Sequence, residues 1–263
     1  MALSQAPAQG GHRLALRNIH KRFGSVVALS GVNFEVDVGE VVALVGDNGA
    51  GKSTLTKIMS GAYRADEGEI LFEGQPVHIA SPEDAGRLGI SAVYQDLALC
   101  ENLDVVANLF LGRETGPRSL PPPLRPLDEY AMEARAIEVL SGLAVKLPSL
   151  RRPVSFLSGG QRQAVAVSRA VLWGSKVVLL DEPTAALGVE QTAMVLRLVR
   201  QLRDRGLAVV LISHNLSDVF RVADRIIVLR LGRRVASFRV DETNRNDVVA
   251  AITGGNELAE AGP

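Results

Sequence analysis

Three groups of residues in this chain have types and spacings that could do chemistry. The first, Gly46-Asp47-Asn48-Gly49-Ala50-Gly51-Lys52-Ser53-Thr54, follows the apolar run Val41 to Val45 and has the spacing G-x-x-x-x-G-K-[ST]. Glycines so placed let consecutive backbone N–H groups turn inward around phosphate oxygens. Lys52 would add a point charge near β- and γ-phosphates, and the Ser53 hydroxyl could ligate Mg²⁺. An ordinary glycine-rich turn is the competing account, and the strand before it and helix after it disfavour that account. The second group ends the apolar run Val177 to Leu180 with Asp181-Glu182. Carboxylates at the end of a buried strand can hold a Mg²⁺ shell (Asp181) and polarise water (Glu182). Alone, such a pair is as readily a solvated turn or a helix cap, and the phosphate loop shifts the balance. The third, Leu157-Ser158-Gly159-Gly160-Gln161, opens a helical segment. It gathers a hydroxyl and several free N–H groups at the positive end of a helix dipole. A serine N-cap with two glycines would explain it by itself. A second anion site in a chain that already has a phosphate loop suggests instead that it faces the nucleotide of a partner molecule.

These groups need elements to hold them. The runs Val41 to Val45, Val177 to Leu180 and Ala208 to Ile212 are short, β-rich and continuously apolar, as strands covered on both faces are. Each leads into a predicted helix: Gly51 to Ser60, Val189 to Arg205 and Asn215 to Val222. Strand, turn and helix in this order build ligand-binding turns at one edge of a parallel sheet. Leu14 to Phe34 alternates more and suits antiparallel strands. Between Asp96 and Phe156 the strand signal disappears; Leu103 to Leu111 and Asp128 to Leu140 read as helices, joined by a stiff, irregular, proline-rich connection over Gly116 to Pro123. The Gly- and Ala-rich tail from Gly254 to Pro263 is expected to fray.

Composition limits what the motifs can mean. A chain of 263 residues, 47% apolar, can bury one large domain with a subdomain, and two independent domains would be cramped. Basic and acidic residues balance at 29 each, which removes the bulk cationic charge that nucleic-acid or anionic-membrane binding would use. Cys100 is the only cysteine, so an internal disulfide is excluded, and a small buried apolar role is expected for it. Met1 to His12 lacks the charged-then-apolar layout of a signal peptide, and no stretch approaches the roughly 18 apolar residues that would span a bilayer.

The third group resembles the LSGGQ signature of the ATP-binding cassette (ABC) superfamily, and the resemblance runs from about Leu14 to Arg239 with the family's motifs in the family's order. It implies an α/β fold of the P-loop NTPase (RecA-like) type: a mainly parallel sheet, an N-terminal antiparallel β subdomain and an inserted α-helical subdomain. The expected division is one cassette over 1–263. Its α/β core would occupy 12–95 and 157–240, the helical subdomain 96–156, and a C-terminal helix with a flexible tail 241–263. The resemblance further implies that ATP is bound by Gly46, Asp47, Asn48, Gly49, Ala50, Gly51, Lys52, Ser53 and Thr54, with Asp181. Phe23, before Gly24, looks like the aromatic residue that stacks on adenine; a strand-end core residue is the alternative. Gln95 resembles the glutamine that contacts Mg²⁺ alongside Ser53 and Asp181 and links the core to the helical subdomain. Glu182 resembles the catalytic glutamate, and His214 the switch histidine at the γ-phosphate. Ser158, Gly159, Gly160 and Gln161 would clamp the ATP of a second cassette.

One departure is informative. After Asp181-Glu182-Pro183-Thr184 most cassettes continue Ser-Ala-Leu-Asp, whereas this chain reads Ala185-Ala186-Leu187-Gly188. Gly188 has no side chain to cross the dimer interface. With Val189-Glu190 following, the variant is similar to the ribose-, xylose- and fructose-type branch of bacterial sugar importers, in its single-cassette form. The implied function is that of the ATP-hydrolysing subunit of an importer, at the cytoplasmic face of the cell membrane. Its implied partners are a second cassette, an integral-membrane permease and an extracytoplasmic binding protein. Two other classes compete: a cassette acting on nucleic acid or ribosomes, disfavoured by the zero net charge and short insert, and a module using ATP as a structural ligand, disfavoured by Glu182 and His214.

Overall fold

The computed structural model describes residues 12–116 and 126–255; most of the proline-rich connection, the first eleven residues and the last eight lie outside the described residues. Two long strands come first, β1 (Leu14–Phe23) and β2 (Val26–Val36), then β3 (Val41–Val45) and α1 (Lys52–Met59). Next come β4 (Glu67–Phe72), β5 (Gln75–Val77), α2 (Pro82–Leu88) and β6 (Ile90–Val93), none of which stands out in the sequence patterning described above. Helices α3 (Val105–Phe110), α4 (Glu129–Gly142) and α5 (Gly159–Leu172) follow. The chain closes with β7 (Val177–Asp181), α6 (Val189–Asp204), β8 (Ala208–Ile212), α7 (Leu216–Val222), β9 (Arg225–Arg230), β10 (Arg233–Arg239) and α8 (Arg245–Thr253). Among the described residues no helix is long and apolar enough to cross a membrane.

Two sheets organise these elements. A four-stranded antiparallel sheet has the order β2-β1-β4-β5, and a six-stranded sheet the order β10-β9-β3-β8-β7-β6. In the second sheet only the edge hairpin β9-β10 is antiparallel; every other pairing is parallel. Continuous apolarity in the central strands follows from burial on both faces. In β3, Val41, Ala43 and Val45 join one apolar cluster and Val42 and Leu44 the other; β7 and β8 divide the same way. The first cluster continues through α5 and α6 into α3 and α4, and the second packs α1 and the antiparallel sheet.

Helix ends are set by caps. Asp104 and Asp128 accept from the N–H groups of Ala107 and Ala131, so α3 and α4 begin one residue after each aspartate. Buried Asn108 ties the loop before α3 in place: it accepts from the Cys100 N–H and donates to the carbonyls of Cys100, Leu103 and Asp104. Cys100 itself is half-buried, not the buried apolar residue expected from its type, because it sits in this irregular loop and not within an element.

A cluster of charges joins the two sheets. Arg225, opening β9, reaches Glu35 of β2 at 2.7 Å and Glu40 in the turn before β3 at 2.8 Å; Arg234 of β10 reaches Glu35 at 2.9 Å. Burial pushes the Glu35 carboxyl up, but Arg234 and Arg225 outweigh it and hold the group below its ordinary value. A carboxylate depressed in the folded state adds stability that is complete above the unfolded pKa and is lost as pH falls through the folded one. We therefore expect Glu35→Gln to cost about 2 kcal/mol at neutral pH, with two guanidinium groups left short of a counter-charge. Urea unfolding of both proteins should show the gap closing as pH falls below about 4; a pH-independent gap would mean that packing, not charge, sets it.

Candidate functional site

Strand order brings the chemically interesting residues to one edge. At the C-terminal ends of the adjacent strands β6, β7, β8 and β3 lie, in turn, Gln95, Asp181-Glu182, His214 and the loop that begins at Gly46. This is the edge at which parallel sheets bind ligands.

The loop between β3 and α1 is shaped by glycine. Gly46 has φ 150°, and a β-carbon there would collide with the Leu229 carbonyl oxygen of β9. Gly51 has φ 102°, and its β-carbon would meet the Leu29 side chain and the Ala28 carbonyl of β2. Gly51 also serves as N-cap of α1, so no side chain caps the first-turn amides and they remain available to an anion. Lys52 Nζ donates to the carbonyls of Gly46 (2.8 Å) and Asp47 (3.0 Å), which folds the ammonium back over the loop. Burial lowers the Lys52 pKa, while Glu182, Asp47 and Asp181 act the other way. Ser53 is exposed beside it. Phe23, Val26, Val27 and Ala28 line a cleft of 320 Å³ with Asn48 to Thr54, giving it one apolar end and one polar end.

Asp181 pairs with Ile212 of β8, and burial followed by the charge of Glu182 raises its carboxyl pKa against the pull of Lys52 and Lys57. Glu182 is held from both sides. Its backbone is left-handed (φ 50°), its N–H donates to the Ile212 carbonyl at 2.9 Å, and its carboxylate accepts from the His214 backbone N–H at 3.1 Å. His214 Nδ1 lies 2.8 Å from the other Glu182 oxygen. The glutamate side chain is 17% exposed and the histidine 75%, so the carboxylate is sheltered and the imidazole is open to an incoming group. Gln95 is exposed just past β6, whose pairing of Val93 with Leu180 sets it beside the Asp181 end of β7.

Asp218 has no counterpart in the sequence reading. Buried in the first turn of α7, it accepts from Thr184 Oγ1 at 2.9 Å and Asn215 Nδ2 at 3.1 Å, and so pins the turn after Glu182 to the segment after His214. Its only sequence signal is an acid in a helix first turn, which ordinarily marks a solvated position.

Ser158 caps α5 in a reciprocal box: the Gln161 N–H donates to Ser158 Oγ at 3.3 Å, and the Ser158 N–H to Gln161 Oε1 at 2.9 Å. Gly159 and Gly160 pack closely under Leu187, Gln191 and Met194, so these glycines also let α5 approach the start of α6. None of Ser158, Gly159, Gly160 or Gln161 lines the cleft beside the phosphate loop. Gly188, N-cap of α6, has no side-chain cap, and a β-carbon there would enter open space.

Comparison with known proteins fits this geometry. The model of the ABC transporter family matches residues 29–185. A fructose import ATP-binding protein of Rhizobium meliloti is 48% identical, covering 93% of this chain and 95% of that protein. A xylose/arabinose import ATP-binding protein of Sulfolobus acidocaldarius is 46% identical over 91% and 93%. A ribose import ATP-binding protein of Rubrobacter xylanophilus is 44% identical over 92% of this chain but 47% of its own length. Among solved structures, an ATP-binding cassette of an ABC transporter in its ADP conformation superposes with a TM-score of 0.79 at 26% identity, covering 96% of this chain and all of that one. A dimeric bacterial ABC transporter cassette gives 0.71 at 25% identity, covering 86% of this chain and 98% of the other. With the phosphate loop, the Asp181-Glu182 strand end and the capped LSGGQ helix in this arrangement, the chain belongs to the ABC transporter family as one of its nucleotide-binding ATPase cassettes.

Proposed function

We propose that this cassette powers the import of a monosaccharide by closing on ATP as a pair and reopening after hydrolysis. Support for the sugar comes from the names of the relatives: fructose, xylose/arabinose and ribose import proteins. Support for the chemistry comes above all from Glu182, a sheltered carboxylate fixed by His214 at the end of the strand that carries Asp181. Phe23 stacks on adenine, the Gly46 to Thr54 amides and Lys52 cradle the phosphates, and His214 meets the γ-phosphate. Glu182 takes a proton from the attacking water.

Ser53, Gln95 and Asp181 suit Mg²⁺, which supplies charge neutralisation at the phosphate oxygens when bound. Among the described residues no three His, Cys, Asp or Glu gather as a metal cage, and the donors here are one hydroxyl, one amide and one carboxyl. A sparse oxygen set of this kind fits an ion that keeps water and phosphate as its other ligands. Ser158, Gly159, Gly160 and Gln161 act on the nucleotide of a second copy; the dimeric cassette among the similar solved structures supports this. The stretch 96–156 then moves against the core, with Gln95 at the joint, and engages a permease at the cytoplasmic face of the membrane. An extracytoplasmic binding protein delivers the sugar, which never touches this chain.

Three measurements test this reading. Lys52→Ala removes a charge-assisted contact worth about 2–3 kcal/mol, so ATP affinity should fall by roughly 30- to 150-fold in a titration with a fluorescent ATP analogue; unchanged affinity would sink the phosphate-loop assignment. Glu182→Gln should hydrolyse no ATP and should shift from monomer to dimer on adding ATP but not ADP, read by light scattering. Adding Ser158→Arg should return it to monomer. An inactive Glu182→Gln protein that stays monomeric at high protein and ATP concentration would leave the base in place and refute the homodimeric sandwich. Finally, because Asp181 is raised by burial and by Glu182, its ionised form opposes folding above the folded pKa, and that cost fades as pH falls through it. Asp181→Asn should therefore stabilise the nucleotide-free protein by about 1 kcal/mol at neutral pH. Magnesium should no longer strengthen its ATP binding; calorimetric melting and titration read the two effects.

A further inference from the structure

Phe23 ends β1 at the apolar end of the cleft and is 42% exposed. An exposed ring at a strand end has rotamer freedom to lose before it can stack on a base, so its usefulness depends on what already holds it. Two neighbouring groups do. Tyr63 meets Phe23 edge-to-face, with ring centroids 5.2 Å apart and planes at 65°. Lys21 Nζ stands 5.5 Å from the Phe23 centroid.

Both groups are fixed by the segment that follows α1. The Tyr63 N–H donates to the Lys57 carbonyl at 2.9 Å, and the Lys57 ammonium lies 5.1 Å from the Tyr63 centroid. Before it, Gly61 turns with φ 74° where a β-carbon would strike the Ser81 carbonyl. After it, Asp66 closes onto β1: its N–H donates to the His20 carbonyl, and its carboxylate takes the Arg22 N–H and Lys21 Nζ, each at 2.6 Å. A connection between α1 and β4 that has no phosphate-binding pattern of its own thus ends up clasping the strand end that bears Phe23.

We propose that Tyr63 is a positioning residue for the base of an adenine nucleotide: it holds the Phe23 ring in the orientation that stacks, while Lys57 seats the Tyr63 ring. This rests on the reading of Phe23 as the stacking residue. None of the contacts that make the clasp involves Asn48 to Thr54, which build the polar end of the cleft. A ligand with phosphates and no base therefore gains nothing from Tyr63.

Calorimetric titration of the full chain with ATP and with inorganic tripolyphosphate tests the proposal. Tyr63→Leu keeps an apolar side chain but loses the ring; an aromatic pair of this kind sets an effect of about three- to tenfold. ATP affinity should fall by that factor, tripolyphosphate affinity should not change, and Tyr63→Phe should restore ATP binding. Phe23→Leu should weaken ATP at least as much, and the double variant should be no weaker than Phe23→Leu alone. Equal losses for ATP and tripolyphosphate would show a general structural effect and overturn the proposal. So would a Tyr63→Leu protein with normal ATP affinity beside a weakened Phe23→Leu protein, in which case the stacking role of Phe23 survives. If Phe23→Leu binds ATP normally, the stacking reading fails and the positioning role falls with it.

Discussion

The structure depends on one tight contact, that of the Gly46 α-carbon against the Leu229 carbonyl of β9. It leaves no room for a side chain, and the chain turns there so that α1 starts within reach of β2. The Gly232 N–H donates to the Ala50 carbonyl at 3.1 Å and the Ser30 N–H to the Gly232 carbonyl at 2.8 Å, so the loop is tied to the turn after β9 and, through it, to β2. The antiparallel sheet, clamped at its other end by the Glu35, Arg225 and Arg234 cluster, thereby becomes part of the wall of the cleft beside that loop. A backbone-built anion site needs such bracing, since its donors have no side chains of their own to lock them.

Electrostatics at the sheet edge is arranged as mutual restraint. The Glu182 charge acts on both Lys52 and Asp181, and Lys52 occupies itself with two carbonyls. Glu182 is braced by backbone and side chain of His214, and the same turn is braced again by Asp218 through Thr184. Holding a carboxylate in a left-handed backbone position costs conformational energy, which these bonds offset.

Much of this was legible in the sequence, for reasons that differ by element. β3 and β8 coincide with their apolar runs and β7 runs one residue beyond its own, because strands buried on both faces leave an unbroken signal. The places of the Gly46 to Thr54 loop, Asp181, Glu182 and Ser158 at strand and helix ends were readable because glycines, carboxylates and a capping serine at such spacings mark the ends of elements. By contrast β4, β5 and β6 are three to six residues long and partly exposed; β4 and β6 pair with distant strands and β5 only with β4, so tertiary contact and not local pattern decides where they form. Asp218 and Tyr63 escaped for a related reason. Each matters through a contact made across the fold, Asp218 with Thr184 and Tyr63 with Phe23, and neither spacing marks it.

The apolar cluster that runs from the six-stranded sheet through α5 and α6 into α3 and α4 has a mechanical consequence. Where two bodies share a continuous dry interior, one cannot swing from the other like a door, because opening a gap would expose apolar surface at about 25 cal/mol per Å². They can only slide, side chain over side chain, by small steps between packed arrangements. The helices beyond Gln95 are therefore joined to the core as a stiff, short-throw coupling; under the function proposed above, whatever moves at the sheet edge would reach the far side of α3 and α4 with little travel and little loss.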